Sequence, residues 1–275
     1  MAYNLLKGKR GIIFGALNEL SIAWKVAECA VEEGAEVVLT NTPVSIRLGT
    51  INTLAEQVGA VVIPADATSV EDLENLVDQT LAHFGGKIDF VLHAVGMSPN
   101  VRKNIPYENI DYHNMMKTMD ISAISFHKLL QTLYKKDAMA EYGSVVSLSY
   151  IAAQRTVIGY NDMADAKALL ESITRSFGAI YGKRFKVRVN TVSQSPTMTT
   201  AGQGIAGLGR WFEMADELSP VGNATADDCA DYVVTLFSDL TRKVTMQNLY
   251  HDGGFSQMAI CPSVLETYEK GKLQD

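Results

Sequence analysis

The sequence predicts an α/β protein built on one doubly wound parallel sheet of about seven strands, with helices on both faces. Short apolar runs alternate along the chain with segments of helical periodicity, which is typical of parallel strands joined by right-handed crossovers. The apolar runs are continuous, as expected for strands covered on both faces. No linker, repeat or low-complexity tract divides the 275 residues, so we expect a single domain over residues 1–275.

The first half of the chain contains four of the expected strands. After the first strand, Ile22, Val26, Cys29 and Ala30 recur at helical spacing, and Gly34 follows in the position of a C-terminal glycine. This pattern predicts a helix that begins near residue 21 and ends before residue 34. We expect strands at 10–15, 35–40, 60–65 and 88–94, and further helices at 44–57 and 70–84.

The second half continues the alternation and brings the number of expected strands to seven. We expect helices at 111–134, 163–181, 204–217 and 226–238, and strands at 143–149, 186–192 and 246–251. The strand at 143–149 ends directly before a segment that holds two tyrosines and a lysine. Because ligands of such sheets bind beyond the carboxyl ends of the strands, this segment is expected near a binding site.

Composition and residue spacing exclude several classes of function. The net charge of −7 argues against a nucleic-acid-binding surface. The three cysteines lie far apart, and neither they nor the five histidines have metal-ligand spacing, so we expect no disulfide framework and no metal. No segment approaches the roughly 20 apolar residues of a membrane span, and the start of the chain lacks an apolar signal region. These observations predict a cytoplasmic protein.

Tyr160 and Lys167 are the leading candidates for a catalytic pair. On a helix, residues seven apart differ by about 700°, roughly 20° short of two turns, so both side chains leave the same face. A nearby ammonium lowers the pKa of a phenol, so we expect Tyr160 to donate readily to an oxygen that gains negative charge. Tyr150 is a third group able to act on a carbonyl. Tyr and Lys are common, however, and such a pair can equally have no function.

The loop after the first strand predicts a site for a pyrophosphate. Gly15 ends that strand, and backbone N–H groups at the start of the next helix, together with the Ser21 hydroxyl, can hold such an anion. The segment is not a GxGxxG motif. Ser21 can instead be only a helix N-cap, and the sequence leaves both interpretations open.

The ends of strands two to four predict the remaining nucleotide contacts. Thr42 follows strand two, where no acidic residue and no adjacent arginine is present, and this favours NAD(H) over NADP(H). Asp66 can accept from an adenine amino group or bind its own turn. Ala94 and Gly96 are small enough for a ribose to approach the backbone, although Gly96 can also be only a turn residue.

A set of motifs runs from about residue 7 to residue 256. They are Gly15 and residues 20–23, 93–96, 120–122, 148–150, 160–161, 167–168, 188–190 and 252–255. Together they resemble the short-chain dehydrogenase/reductase superfamily, and more narrowly its bacterial enoyl-(acyl carrier protein) reductases. The specific signal is the seven-residue spacing of Tyr160 and Lys167, because most of the superfamily separates these residues by four.

The resemblance implies a Rossmann-type fold and reduction of a trans-2-enoyl thioester by hydride from NADH, in type II fatty acid biosynthesis. It implies that Tyr160 hydrogen-bonds the thioester oxygen, that Lys167 holds the nicotinamide ribose and that Tyr150 lies against the acyl chain. The expected cofactor site comprises Gly15, Ser21, Ile22, Thr42, Asp66, Ala67, Ala94, Gly96, Lys167, Pro196, Thr197 and Thr199. The expected substrate site comprises Met97, Tyr150, Tyr160, Met163, Ile205 and Ala206.

The resemblance also implies a lid, a partner and an assembly. Residues 197–217 are glycine-rich and apolar, which suits a mobile lid over an acyl chain. The partner is acyl carrier protein, and the assembly is a homotetramer. The tail at 257–275 is expected to cover a subunit interface or the lid.

Three features depart from the family pattern. Residues 193–196 read Ser-Gln-Ser-Pro where the family has a glycine before the proline, and Asp162 and Asp165 make the field near the Tyr–Lys pair less positive. The lid carries only Arg210 as a basic residue, which leaves carrier docking open. Two alternatives remain: a reductase of 3-oxoacyl thioesters or other carbonyls, which the seven-residue spacing disfavours, and a nucleotide-binding regulator without turnover.

Overall fold

Seven parallel strands form one sheet in the computed structural model, which describes residues 2–203 and 208–272. The strands are β1 (Arg10–Phe14), β2 (Glu36–Thr40), β3 (Val61–Val62), β4 (Ile88–His93), β5 (Met139–Ser149), β6 (Arg188–Gln194) and β7 (Asn248–His251). Their order is β3-β2-β1-β4-β5-β6-β7, and every neighbouring pair is parallel. This confirms the predicted doubly wound α/β fold and puts its switch point between β1 and β4.

Helices cover both faces of the sheet. They are α1 (Ile22–Glu32), α2 (Pro43–Leu48), α3 (Ile51–Val58), α4 (Val70–Phe84), α5 (Pro99–Arg102), α6 (Tyr112–Met119), α7 (Ser125–Lys135), α8 (Asn161–Phe185), α9 (Thr200–Gln203), α10 (Leu208–Leu218), α11 (Ala226–Phe237) and α12 (Pro262–Lys272). One apolar core packs α4, α7 and α8 on the sheet, and the other packs α1, α3 and α11 on it. Burial on both faces explains why the strands are continuously apolar.

The chain turns sharply at the end of β1, where only glycine fits. Gly15 has a φ of +96°, which residues with side chains rarely adopt, and a Cβ there would lie 2.2 Å from the Ala94 carbonyl oxygen. The loop after β1 therefore lies directly against the end of β4. This close approach forms the floor of a cleft at the switch point of the sheet.

Two predicted elements in the first half have different bounds. The helix expected at 44–57 is divided into α2 and α3 at Gly49, where the backbone is extended and the Thr50 N–H donates to the Leu17 carbonyl at 2.9 Å. A Cβ on Gly49 would lie 2.5 Å from that carbonyl oxygen, so only glycine permits this approach. The strand expected at 60–65 is reduced to the two residues of β3. It lies at the sheet edge, where it pairs with β2 alone.

The helix expected at 111–134 contains a π-helical turn, Asp120–Ile124, between α6 and α7. Such turns occur often at functional sites. The turn aims two serines at the end of β4: the Ser122 Oγ accepts from the Met97 N–H at 3.0 Å, and the Ser125 Oγ lies 2.9 Å from His93 Nε2. The helical pattern of the sequence did not predict this change.

The remaining helices agree with the predictions within a few residues. The helix expected at 163–181 is longer at both ends in α8, and α11 matches the expected 226–238. Part of the helix expected at 204–217 lies outside the described residues. Over residues 2–203 and 208–272, no helix has the length and hydropathy needed to cross a membrane. No cluster of three potential metal ligands occurs in those two ranges.

Candidate active site

One cavity of about 640 Å³ opens beyond the carboxyl ends of β1 to β6. Every predicted site residue in the described part of the chain lines it. These residues are Gly15, Ser21, Ile22, Thr42, Asp66, Ala67, Ala94, Gly96, Met97, Tyr150, Tyr160, Met163, Lys167, Pro196, Thr197 and Thr199. The predicted substrate contacts Ile205 and Ala206 lie outside the described residues. The nucleotide loops and the Tyr–Lys segment therefore share one space of a size usual for small-molecule sites.

Two phenols meet at the wall of the cavity. Tyr150 follows β5, Tyr160 precedes α8, and their ring centroids lie 4.9 Å apart. The Tyr250 hydroxyl donates to Gln154 Oε1 at 2.6 Å, but neither cavity phenol has a hydrogen-bond partner among the described residues. Polar side-chain atoms inside proteins usually have such partners. Both phenols therefore keep a donor for a ligand.

Lys167 places a buried ammonium in the same cavity. The residue is 8% exposed, and its Nζ donates to the Leu148 carbonyl at 2.7 Å, which leaves two further N–H donors. Burial lowers the pKa of Lys167 to about 8, while Glu171, one helical turn further on, acts to raise it. The side chain is thus still mostly charged at neutral pH.

The predicted effect of Lys167 on the phenols is wrong for the ligand-free protein. Burial raises the pKa of Tyr160 above its usual value, and burial together with Asp252 raises the pKa of Tyr150 to about 12. Removing water from around a phenol disfavours the charged phenolate, and Lys167 does not offset this at either tyrosine. Both tyrosines are therefore protonated at neutral pH and act as hydrogen-bond donors.

The loop after β1 offers backbone N–H groups to the cavity. Ser21 occupies the N-cap position of α1 but makes no capping bond; its oxygen accepts from the N–H groups of Leu17 and Asn18, and its hydroxyl donates to the Asn18 carbonyl. The Ile22 and Ala23 N–H groups have no acceptor within the described part of the chain. Since the first turn of α1 has no acidic residue, these two groups suit an anion. Ser21 shapes the loop that presents them.

The side chains after β2 and β3 bond mainly within their own turns. Thr42 caps α2, with its Oγ1 accepting from the Ser45 N–H at 3.2 Å. Asp66 accepts from both the N–H and the hydroxyl of Thr68, at 2.9 and 2.8 Å. The turn contact expected for Asp66 is thus present. An adenine contact through the other carboxylate oxygen stays a prediction.

The loop after β4 is fixed by a residue that sequence reasoning missed. Ser122 accepts from the Met97 N–H at 3.0 Å and donates to the Met97 carbonyl at 3.2 Å. Its direction depends on the π-helical turn, which leaves no signal in the hydrophobic pattern. A Cβ at Gly96 would lie 3.7 Å from the Lys167 Nζ, so this small residue leaves space beside the ammonium.

Gln194 fixes the loop after β6, at one of the departures from the family pattern. Its amide donates to the Ala224 carbonyl at 3.1 Å and to the Thr197 Oγ1 at 3.3 Å, and its oxygen lies 2.7 Å from His251 Nδ1. The Thr197 hydroxyl in turn donates to the Ser195 carbonyl at 3.0 Å. The side chain of Thr197 therefore has a defined position at the edge of the cavity.

The fold and this site define a nicotinamide-nucleotide oxidoreductase of the short-chain dehydrogenase/reductase class. Backbone N–H groups line one end of the cavity at the switch point, and two tyrosines with a lysine line the other. A family model described as enoyl-(acyl carrier protein) reductase matches residues 15–256. The chain belongs to this enoyl-(acyl carrier protein) reductase family, which confirms the resemblance found in the sequence.

Individual relatives agree with the family assignment. The NADH enoyl-acyl-carrier-protein reductase 2 of Rhizobium meliloti is 33% identical over 253 residues, covering 92% of this chain and 93% of that protein. The crystal structure of the FabI–NADH complex from Alistipes finegoldii matches with a TM-score of 0.95 and 70% identity, covering 98% of this chain and 95% of that one. The NADH enoyl reductase structure from Aquifex aeolicus matches at 31% identity and a TM-score of 0.86, covering 94% and 100%.

Proposed function

We propose that this chain reduces trans-2-enoyl thioesters of acyl carrier protein with NADH in fatty acid biosynthesis, and that Tyr160 and Lys167 carry the reaction. The observation that carries the proposal is the Tyr160 hydroxyl, which has no partner in the described residues and shares a cavity with the buried Lys167 ammonium. During reduction of an enoyl thioester, negative charge builds on the thioester oxygen. A preorganised donor in a buried site stabilises that charge.

The nucleotide end of the cavity fits NADH. Gly15 has no side chain to block the approach to β4, the Ile22 and Ala23 N–H groups suit a pyrophosphate, and Lys167 retains two donors for ribose hydroxyls. When bound, NADH supplies the hydride that adds to the substrate double bond. The proposed site further includes Ser21, Thr42, Asp66, Ala67, Ala94, Gly96, Pro196, Thr197 and Thr199.

The side chains at the other end act on the substrate. Tyr160 stays a phenol at neutral pH because burial raises its pKa, so it donates to the thioester oxygen. One such donor typically contributes about 3–4 kcal/mol to stabilising the transition state. Lys167 adds a positive field beside the same oxygen. Tyr150 lies against the acyl chain, with Met97 and Met163 as further apolar contacts.

The proposal includes a lid formed by residues 197–217. Two contacts support it: the Thr200 Oγ1 accepts from Asn18 Nδ2 at 2.8 Å, and Trp211 lines the cavity. The first contact joins the start of the lid to the nucleotide loop, so an occupied nucleotide site can influence the lid. Ile205 and Ala206 are kept as proposed substrate contacts.

The remaining parts of the proposal concern organisation. We place the chain in the cytoplasm as a homotetramer, with residues 1–275 forming one domain and the tail at 257–275 covering a neighbouring subunit or the lid. The described part of the tail supports this role, because α12 has no buried residue against its own chain. A helix that packs little on its own subunit is available to cover another surface.

The test is NADH oxidation followed by absorbance, with a short trans-2-enoyl thioester and a 3-oxoacyl thioester in parallel. We expect turnover with the enoyl substrate alone. Turnover with the 3-oxoacyl substrate alone would show that the Tyr–Lys pair serves a carbonyl reductase. NADH binding without turnover of either substrate would favour the nucleotide-binding regulator.

A further inference from the structure

Asp162 is a buried carboxylate beside the proposed catalytic segment. Its side chain is fully buried, and it takes part in none of the ion pairs formed by the described residues. Burial of a charge without a cation is costly unless hydrogen bonds compensate. Asp162 lies in the first turn of α8, where the helix dipole also favours a negative charge.

Three neutral donors surround this carboxylate. The Ser98 hydroxyl donates to Oδ1 at 2.7 Å, and the Asn100 amide and the Thr118 hydroxyl are placed to donate to Oδ2 at 2.9 and 2.8 Å. All three donors are themselves buried. Asp162 on α8 is therefore hydrogen-bonded to two other elements, the segment that contains α5 and the end of α6.

The donors are also fixed within their own elements. The Ser98 Oγ accepts from the Val101 N–H at 3.0 Å and so caps α5, and the Asn100 Oδ1 accepts from the Asp111 N–H at 3.2 Å. A further hydrogen bond joins the same two segments: the Asn161 side-chain amide donates to the Ile105 carbonyl. Residues 98–105 are thus joined to the start of α8 at both of their ends.

Both joined segments line the proposed substrate end of the cavity. Ser98, Val101 and Asn104 from the first segment line this cavity, and so do Tyr160 and Met163. Tyr160 is only two residues before Asp162. The distance between the Tyr160 hydroxyl and residues 98–105 therefore depends on the hydrogen bonds that Asp162 makes.

We infer that Asp162 is a positioning residue that fixes residues 98–105 against Tyr160 and thereby sets the width of the acyl end of the cavity. This inference rests on the proposed function. An apolar side chain of similar volume would fill the same space without the cost of a buried charge, so packing alone does not explain a carboxylate here. Its two oxygens accept from three buried side chains and so join α8 to two other elements.

The test uses the full chain with Asp162→Ala and Asp162→Asn, and Asp165→Asn as the matched control. Asp165 is on the same helix three residues further on, and within the described residues it accepts only from the Tyr107 hydroxyl, at 3.2 Å, in an exposed contact. For Asp162→Ala we expect kcat/KM for a trans-2-enoyl thioester to fall by about 10- to 100-fold, with a raised KM. The dissociation constant of NADH should change less than about twofold in all three variants. Asp162→Asn keeps one acceptor oxygen and should recover part of the loss.

Amide hydrogen exchange separates this inference from the proposed function. In Asp162→Ala, exchange over residues 98–105 should quicken roughly tenfold, while α11 on the other face of the sheet stays unchanged. Unchanged exchange, an equal loss of NADH and enoyl affinity, or an equal effect of Asp165→Asn would overturn the positioning role. Absence of enoyl turnover in the wild type would overturn the proposed function instead, and the exchange data would still decide whether Asp162 holds the segment. If Asp162→Ala does not fold, Asp162→Asn, which keeps one acceptor oxygen, should quicken the same exchange to a smaller extent.

Discussion

The two ends of the cavity differ in whether their polar side chains have hydrogen-bond partners among the described residues. At the nucleotide end, Ser21, Thr42 and Asp66 bond within their own turns, so the ligand meets mostly backbone N–H groups and small residues. At the catalytic end, Tyr150 and Tyr160 have no hydroxyl partner in the described residues. The nucleotide end is therefore completed locally by the chain, whereas the catalytic end keeps donors free for a substrate.

The same contrast holds for charge. Among the described residues, the loops of the nucleotide end contribute no buried cation to the cavity, while Lys167 holds an ammonium at 8% exposure. Burial opposes that charge, and this is why the pKa of Lys167 falls to about 8. At the catalytic end, the buried charge that serves the chemistry lowers stability. Substitutions there should therefore affect activity and stability differently.

The largest expected effect comes from Tyr160→Phe. Removing the free hydroxyl should lower kcat by about 100- to 1,000-fold, because one oxyanion donor is lost. The dissociation constant of NADH should stay nearly unchanged, since this hydroxyl is not placed at the nucleotide end. Enoyl turnover and NADH fluorescence titration measure the two quantities. Tyr150→Phe serves as the control with a smaller loss, and lost NADH binding in Tyr160→Phe would assign that hydroxyl to the cofactor.

The next effect concerns the nucleotide end, through Gly15→Ala. The new Cβ would meet the Ala94 carbonyl oxygen at 2.2 Å, in a backbone conformation with φ of +96°. We expect NADH affinity to fall at least about tenfold, because the β1 loop must move away from β4. Gly59→Ala is the control: its φ is +67°, but no atom lies within 4 Å of its Cβ position. Equal NADH affinity in the two variants would show that the close approach has no role in binding.

The smallest expected effect is on stability, through Lys167→Met. The folded pKa of about 8 lies below the ordinary value of 10.5, so the folded protein loses this proton first as pH rises. The cost of the buried charge is therefore full below pH 8 and disappears as pH rises towards 10.5. At pH 7 the free energy of unfolding of the variant should exceed that of the wild type by about 2 kcal/mol. The pKa shift corresponds to roughly 3 kcal/mol, and the lost hydrogen bond to Leu148 subtracts about 1 kcal/mol.

Denaturant unfolding of the ligand-free protein between pH 7 and pH 10 measures this difference. The advantage of Lys167→Met over the wild type should shrink steadily across that range, while enoyl turnover stays lost at every pH. An advantage that does not depend on pH would show that the buried charge is not its cause.

Local sequence was sufficient for the nucleotide end. Gly15 was predicted at the turn after β1, because a glycine that follows an apolar strand in an alternating β/α pattern marks the switch-point loop. The turn contact of Asp66 was also among the expected alternatives, since a short acidic side chain bonds to residues two positions on. Contacts of this kind span a few residues, so composition and spacing are enough to indicate them.

The catalytic end was predicted in part. The seven-residue spacing of Tyr160 and Lys167 indicated a shared helix face, and this is wrong: α8 begins at Asn161, whose φ is +45°, so Tyr160 lies before the helix. Both side chains nevertheless line the same cavity. The sequence did not indicate the π-helical turn that aims Ser122 at Met97, nor the break at Gly49. In both cases the deciding contact comes from a residue 25 or more positions away.

The sequence by itself therefore determined the order of strands and helices and the glycine turn at β1. These features follow from periodicity, and periodicity is a local property of the chain. Only the tertiary structure decided the protonation of the phenols and the role of Asp162. Burial and hydrogen-bond partners arise from segments that meet after folding, and here burial raises the pKa of Tyr160.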